Sequence, residues 1–353
     1  MTARTRTTAA PAPAPAPAVV VVAARGRLAR AAAAAGAAVA GTATLALALT
    51  ALAAPAASAA TVSAATVKPA VAQVNCMAAP SRCGYPDATN TGVPAGTVLR
   101  NVPGQVSSGP GWRYVASGYV EVSGNGAVLS GLNIACNLDI TASNVLIRNS
   151  VIAASGYFAI SLRHTTGVTI SNSAVGGSNA TSGRAGVAIS DIYGDSTGMI
   201  ITGDNITNFK TAVQVSTGKI SGNYIHSPGY VTGDHTNGIF DTGTTQPLAI
   251  TGNTIENSFG QTDAISLDAS QTGQVMANKT VTGNLLAGGS YTIYGGNSLG
   301  NTSSHMLIQN NRLGQAYYPR SGQYGPAAYF ITSATNLWSG NIWDTTGGTI
   351  PAP

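Results

Sequence analysis

Ionisable side chains are scarce in this 353-residue chain, which holds only 12 acidic residues and 4 histidines, so the places where they gather carry information. Asp234 and His235 immediately precede the short stretch Asn237-Gly-Ile-Phe-Asp241. Asp263 takes the position of Asn237 in the next copy of the chain's repeat, and Asp268 lies just beyond it. His226 enters the loop before Asn237 from its far end. Two chemistries fit such a set. In an elimination, His235 or His226 would remove the proton beside a uronic carboxyl that Asn237 binds. In a hydrolysis, two carboxylates flank the glycosidic bond, and Asp241 and Asp263 would be the pair. Asp234 belongs to the same candidate catalytic group. The alternative is that Asn and Asp here form hydrogen-bonded ladders or turn caps with no part in chemistry.

Aromatic residues add a second signal. Tyr224, Tyr230, Tyr291, Tyr294, Tyr317, Tyr318, Tyr324 and Tyr329 concentrate in the C-terminal half. A sugar ring stacks on such a face while the phenol hydroxyl reaches a polar partner. A glycan groove would run along Phe240, Ser266 and Tyr294, with Tyr230, Tyr291 and Asp268 as further substrate contacts. A binder needs that face but not an acid/base pair.

What positions these residues is a repeat. An apolar residue, any residue, Gly or Asn, two more residues and a second apolar residue recur nine times: LSGLNI at Leu129, IRNSVI at Ile147, ISNSAV at Ile170, ITGDNI at Ile201, ISGNYI at Ile220, ITGNTI at Ile250, VTGNLL at Val281, IQNNRL at Ile308 and WSGNIW at Trp338. Spacings run from 18 to 31 residues. The third position (Gly131, Asn149, Asn172, Gly203, Gly222, Gly252, Gly283, Asn310, Gly340) holds the two residue types that best tolerate a positive φ. A strand bending sharply between two faces of a coil needs such a residue once per turn. The flanking apolar residues then point inward, and coils stack about 4.8 Å apart.

A second short strand precedes most hexads, centred on Ile160, Ile189, Val213, Ile239, Ile265, Ile293 and Phe330 as an inward ladder. Ser161, Ser190, Gln214, Phe240, Ser266, Tyr294 and Ile331 form the outward one. Asn237 and Asp263 would then sit about 5 Å apart on neighbouring coils. These features describe an all-β, right-handed parallel β-helix of about nine coils. A sandwich or propeller would need hairpin turns between adjacent strands. No segment beyond the first 60 residues shows helical periodicity. The Pro- and Gly-rich residues from about Cys76 to Trp112 are expected to cap the first coil.

Those first 60 residues differ in kind. Arg4, Arg6, Arg25, Arg27 and Arg30 precede an Ala/Leu-rich stretch ending in Ala57-Ser58-Ala59. This reads as a secretory signal peptide over 1–59, followed by a flexible lead-in over 60–75 and the β-helix domain over 76–353. A lone membrane anchor is the alternative reading. The formal charge of +5 falls to zero once the five leader arginines are removed from 17 basic and 12 acidic residues, which argues against a nucleic-acid partner. Secretion permits a disulfide. Cys76–Cys83 across a turn-rich segment is favoured, with Cys83–Cys136 open. No zinc motif is present; Ca2+ is the one cofactor left open. A monomer acting on an extracellular polysaccharide, free of the membrane after cleavage, is expected.

The run CMAAPSRCGYPDATNTGVPAGTVL (Cys76–Leu99), the NVLIRNS-type hexads, LLAGGSYTIYGG (Leu285–Gly296) and SGNIWD (Ser339–Asp344) resemble the secreted right-handed parallel β-helix repeat proteins of actinobacteria, in the pectate-lyase-like superfamily. The resemblance spans essentially the whole chain after the leader and implies the fold. For activity it implies a carbohydrate-active protein, a lyase slightly ahead of a glycoside hydrolase, with a non-catalytic glycan-binding or cell-surface protein as the alternative. The resembling proteins often carry an HSDGIQ-like segment where this chain has HTNGIF (His235–Phe240). The NTD, DD, GHG and RIK sets of polygalacturonases and the WxDH and RxPxxR segments of pectate lyases are missing, so pectin is not implied as substrate.

Overall fold

The computed structural model describes residues 75–179, 183–268 and 273–353. The expected signal peptide, and the expected lead-in except Asn75, lie outside the described residues. No helix among the described residues is long and apolar enough to cross a membrane.

The chain winds into a parallel β-helix of three sheets. Each hexad supplies two strands, because its third residue turns the backbone between them. All nine residues of that column have φ between 47° and 69°. The first half of each hexad lies in a nine-stranded sheet (sheet C) and the second half in a ten-stranded sheet (sheet A); the strand after it lies in an eleven-stranded sheet (sheet B). Pairing is parallel and in register. In sheet C, Ile147, Ile170, Ile201, Ile220, Ile250, Val281 and Ile308 stack one upon the next. In sheet B, Ile160, Ile189, Val213, Ile239, Ile265 and Ile293 do the same. All of these are buried, and each aliphatic side chain contributes about 2 kcal/mol through loss of apolar surface to water.

A polar ladder runs beside the apolar columns at the fourth hexad position. The Leu132 N–H donates to Ser150 Oγ, Ser150 N to Ser173 Oγ, Ser173 N to Asp204 Oδ1 and Asp204 N to Asn223 Oδ1. Asn253, Asn284, Asn311 and Asn341 continue it at 2.9–3.0 Å. Each of the five asparagines also donates from Nδ2 to the carbonyl that opens the preceding hexad, as Asn223 does to Ile201. Backbone groups that the sharp bend removes from the sheets are thereby satisfied.

Three sequence expectations are corrected. The hexad at Trp338 forms strands Leu337–Ser339 and Ile342–Trp343 but supplies no strand to sheet B, so fewer than nine turns are complete. The last strand of sheet B is Gly325–Ala328, in which Ala327 pairs with Ile293; Phe330 instead packs against Gly295, in a loop. The segment from Cys76 is not a cap confined to the first coil. The backbone N–H groups of Cys76 and Met77 donate to the buried carboxylate of Asp344, and both side chains pack on Leu285 and Ala287 in the late turns. The chain then passes Gly203, whose carbonyl accepts from Gly92, and pairs Arg100–Val102 with Leu132–Ile134 at the first coil. It is a strap along the helix, held at its start by the Cys76–Cys83 disulfide. The antiparallel strands Ser108–Gly109, Trp112–Val115 and Tyr119–Val122 cover the first coil instead.

Candidate functional site

The candidate residues fall on three separate parts of the helix. On sheet B, Asn237 and Asp263 are direct register partners. Asn237 Nδ2 donates to Thr211 Oγ1 and to the carbonyl of His235, both at 3.3 Å, while its Oδ1 has no partner. Asp263 is fully buried; no hydrogen bond of good geometry reaches either carboxyl oxygen, although the Ser266 hydroxyl lies close enough to favour the charged form. Burial drives its pKa well above the usual carboxylate range, and it lies near enough to Tyr294 for the two charges to interact. An unpaired carboxyl in such a place takes its neutral form.

Asp241 lies elsewhere. It is fully buried with Lys279, whose Nζ is 3.0 Å from Oδ2. Lys279 also donates to the carbonyls of Ser216 and Gln246 at 2.8 Å. Burial raises the Asp241 pKa to about 6 against the pull of Lys279, and lowers that of Lys279. This ion pair joins sheets B and C inside the tube, and Asp241 does not face Asp263 across a groove. Lys279 was not a sequence candidate. Its signal was present: two residues before the hexad five other coils carry buried Val145, Val168, Met199, Leu248 and Met306, and a lysine is the one charged residue in that column.

The two histidines are also apart from these carboxyls. His235 is exposed at the end of the loop before sheet B, and its carbonyl, not its ring, meets Asn237. Asp234 fixes that loop by pairing with Arg184 at 2.8 Å and accepting from Val231 N. His226 stands on sheet A, half-buried and stacked on Tyr224 with ring centroids 3.8 Å apart. Its ring nitrogens contact Ser227 Oγ at 2.8 Å and Asn205 Oδ1 at 3.1 Å. Beside it Glu256, which the sequence reading passed over, accepts hydrogen bonds from the Tyr224 and Tyr317 hydroxyls. Burial and Glu256 together push both phenol pKa values up.

The ladder of sheet B keeps the register that its spacing requires, with Phe240, Ser266 and Tyr294 as consecutive partners, but Ser161, Ser190 and Ser266 are buried, so Ser266 does not offer the open substrate contact expected of it. Four tyrosines gather at its C-terminal end. Tyr291 lies 5.7 Å from Tyr294 and 5.9 Å from Tyr324, and Tyr294 stacks on Tyr329 at 5.4 Å. Tyr324 and Tyr329 are 55% and 51% exposed. A cleft of about 320 Å3 adjoins them, lined by Tyr291, Tyr324, Arg320 and Trp343. Tyr230 is not part of this group; it stacks on Phe259 at 4.7 Å, between two loops joining sheets A and B. Asp268 accepts a hydrogen bond from Ser298 and is partly buried, which raises its pKa.

Among the described residues no group of three or more His, Cys, Asp or Glu side chains is placed to hold a metal ion. No family model, no curated protein and no solved structure matches this chain.

Proposed function

We propose that the chain is a secreted glycan-binding β-helix protein that holds an extracellular polysaccharide against sheet B. The observation that carries this reading is the contiguous cluster of Tyr291, Tyr294, Tyr324 and Tyr329, two of them half open to solvent, at the end of sheet B beside a cleft. Aromatic faces of this kind combine a large apolar contact area with hydroxyls at the rim, which suits a sugar chain. Contacts among the four rings restrain them before binding, which lowers the ordering entropy that opposes it. Membership of the pectate-lyase-like superfamily, as the sequence resemblance implies it, belongs to the same proposal.

Tyr324→Ala and Tyr329→Ala remove exposed rings and leave the core intact. Each is expected to weaken retention in affinity electrophoresis through a retaining polysaccharide about five- to tenfold, and the pair about fiftyfold, in line with about 1–1.4 kcal/mol per ring. Unchanged retention in the double variant would remove the cluster from the account.

Cleavage of the bound chain is the second reading, favoured by one observation: Asp263 is an unpaired buried carboxyl close to Tyr294 and beside the orphaned Asn237 Oδ1. A general acid is held in that protonated form. The arrangement weighs against it in one respect, because neither His226 nor His235 stands within hydrogen-bonding reach of Asp263.

A further inference from the structure

On sheet A three side chains form a hydrogen-bonded relay that the glycan reading does not use. Ser227 Oγ contacts His226 Nδ1 at 2.8 Å, and His226 Nε2 contacts Asn205 Oδ1 at 3.1 Å. The amide oxygen of Asn205 only accepts, so Nε2 carries the imidazole proton and Nδ1 presents its lone pair to the serine hydroxyl. Each member is positioned independently. Asn205 projects from a strand of sheet A as the register partner of Tyr224, and His226 directly follows the neighbouring strand Tyr224–Ile225. Asn205 Cβ also lies close against the strap at Gly92. Stacking on Tyr224 fixes the imidazole plane. Ser227 sits at the corner leaving sheet A with φ of 49°, where its hydroxyl is exposed. Its carbonyl is held by Asn208 N. A nucleophile, a base and an orienting group, each held from outside the relay, form the arrangement that activates a serine.

We propose that Ser227 is a nucleophile activated by His226 and oriented through Asn205, which takes an acyl group from carboxylic esters. Ser227 Oγ forms a bond to the ester carbonyl carbon as its proton passes to His226 Nδ1. The ester C–O bond then breaks, and the same proton goes to the departing alcohol. Water, deprotonated by His226, attacks the acyl-serine; the acid leaves and the serine recovers its proton. The sum is ester and water to acid and alcohol, with no further reactant. Asn205 touches neither ester nor Oγ and is a positioning residue. Burial, which lowers the His226 pKa to about 4, keeps the imidazole in its basic form at neutral pH.

The test uses the full chain and a fluorophosphonate, which transfers phosphorus to an activated serine oxygen with loss of fluoride. It needs no glycan, so its outcome is independent of the sheet B proposal. Wild-type protein is expected to take up one label, mapped by mass spectrometry to Ser227, and to release p-nitrophenolate from p-nitrophenyl acetate. Ser227→Gly, a residue that accepts the corner's positive φ, should fold and take no label. His226→Gln is expected to label at least about a hundredfold more slowly, the range a general base contributes. Asn205→Ala should slow labelling about tenfold or more, while Asn205→Asp labels at least as fast as wild type. A purely structural asparagine would not produce that ordering. Absence of label in folded wild type, or label that persists in Ser227→Gly, overturns the proposal.

Discussion

Asp204→Asn is expected to stabilise the β-helix increasingly as pH rises. The gain should be small near pH 4 and reach on the order of 4 kcal/mol at pH 7. Asp204 is fully buried in the polar ladder, and burial raises its pKa to about 8. Its Oδ1 accepts from Ser173 N, but Oδ2 has no partner. The five asparagines at the same hexad position show what stands there otherwise: an amide nitrogen donating to the carbonyl that opens the preceding hexad. Because Ile170 and Ile201 are register partners, the equivalent carbonyl for Asp204 is that of Ile170. A protonated carboxyl can donate to it; a carboxylate meets it with like partial charge. The folded protein therefore binds a proton that the unfolded chain, with a normal aspartate, releases near pH 4. This contribution to stability is complete below that pH and is lost as pH rises toward 8. Asparagine supplies the donor at every pH. Urea denaturation of wild type and variant between about pH 4 and 8 measures the difference directly. A gap that does not widen with pH would mean that Asp204 is not held neutral.

The second large effect concerns the ion pair inside the tube. Lys279→Met is expected to destabilise the fold by about 3–5 kcal/mol, because it leaves the buried Asp241 carboxyl without its partner, to be kept either charged and unpaired or protonated at a pH where the unfolded chain releases that proton. The carbonyls of Ser216 and Gln246 lose their donor as well. Methionine itself fits the site, since Met199 and Met306 fill the same column in other coils. The double variant Lys279→Met/Asp241→Leu should recover more than half of the loss. Leucine already stands at the position of Asp241 in the neighbouring coil as Leu267, and apolar replacement of a whole buried pair is often neutral. Equal losses in the single and double variants would show that volume, rather than the unpaired carboxyl, sets the cost.

The parts of the fold that repeat were legible in the sequence. A positive φ at each of nine Gly/Asn positions, the stacked aliphatic columns and the serine-to-tyrosine ladder of sheet B follow from one hexad and its companion strand. The departures lie where no period exists. The strap from Cys76 contains no strand before Arg100, so nothing in its composition tells that it begins beside Asp344 and not at the first coil. The late strand of sheet B was misplaced by three residues because Phe330 looks more like a core residue than Ala327 does.

The candidate site was legible in its pairs but not as a whole. Asn237 and Asp263 are neighbours because register is set by the repeat. His226 and His235 are nine residues apart in sequence but belong to different surroundings, because the corner between sheets A and B separates them. Asp241, two residues beyond Ile239 on the same strand, shares its inward face. The alternation that placed Phe240 outside therefore placed Asp241 inside.

The central claim is that sheet B holds a glycan through its tyrosines without cutting the chain. Its most direct measurement incubates the full-length protein with a polysaccharide that retains it in affinity electrophoresis, then follows reducing ends and the ultraviolet absorbance of unsaturated ends. The expected result is retention that Tyr324→Ala/Tyr329→Ala weakens about fiftyfold, with neither kind of new chain end formed. Reducing or unsaturated ends that accumulate with wild type and vanish with Asp263→Asn would contradict it and make sheet B a catalytic surface.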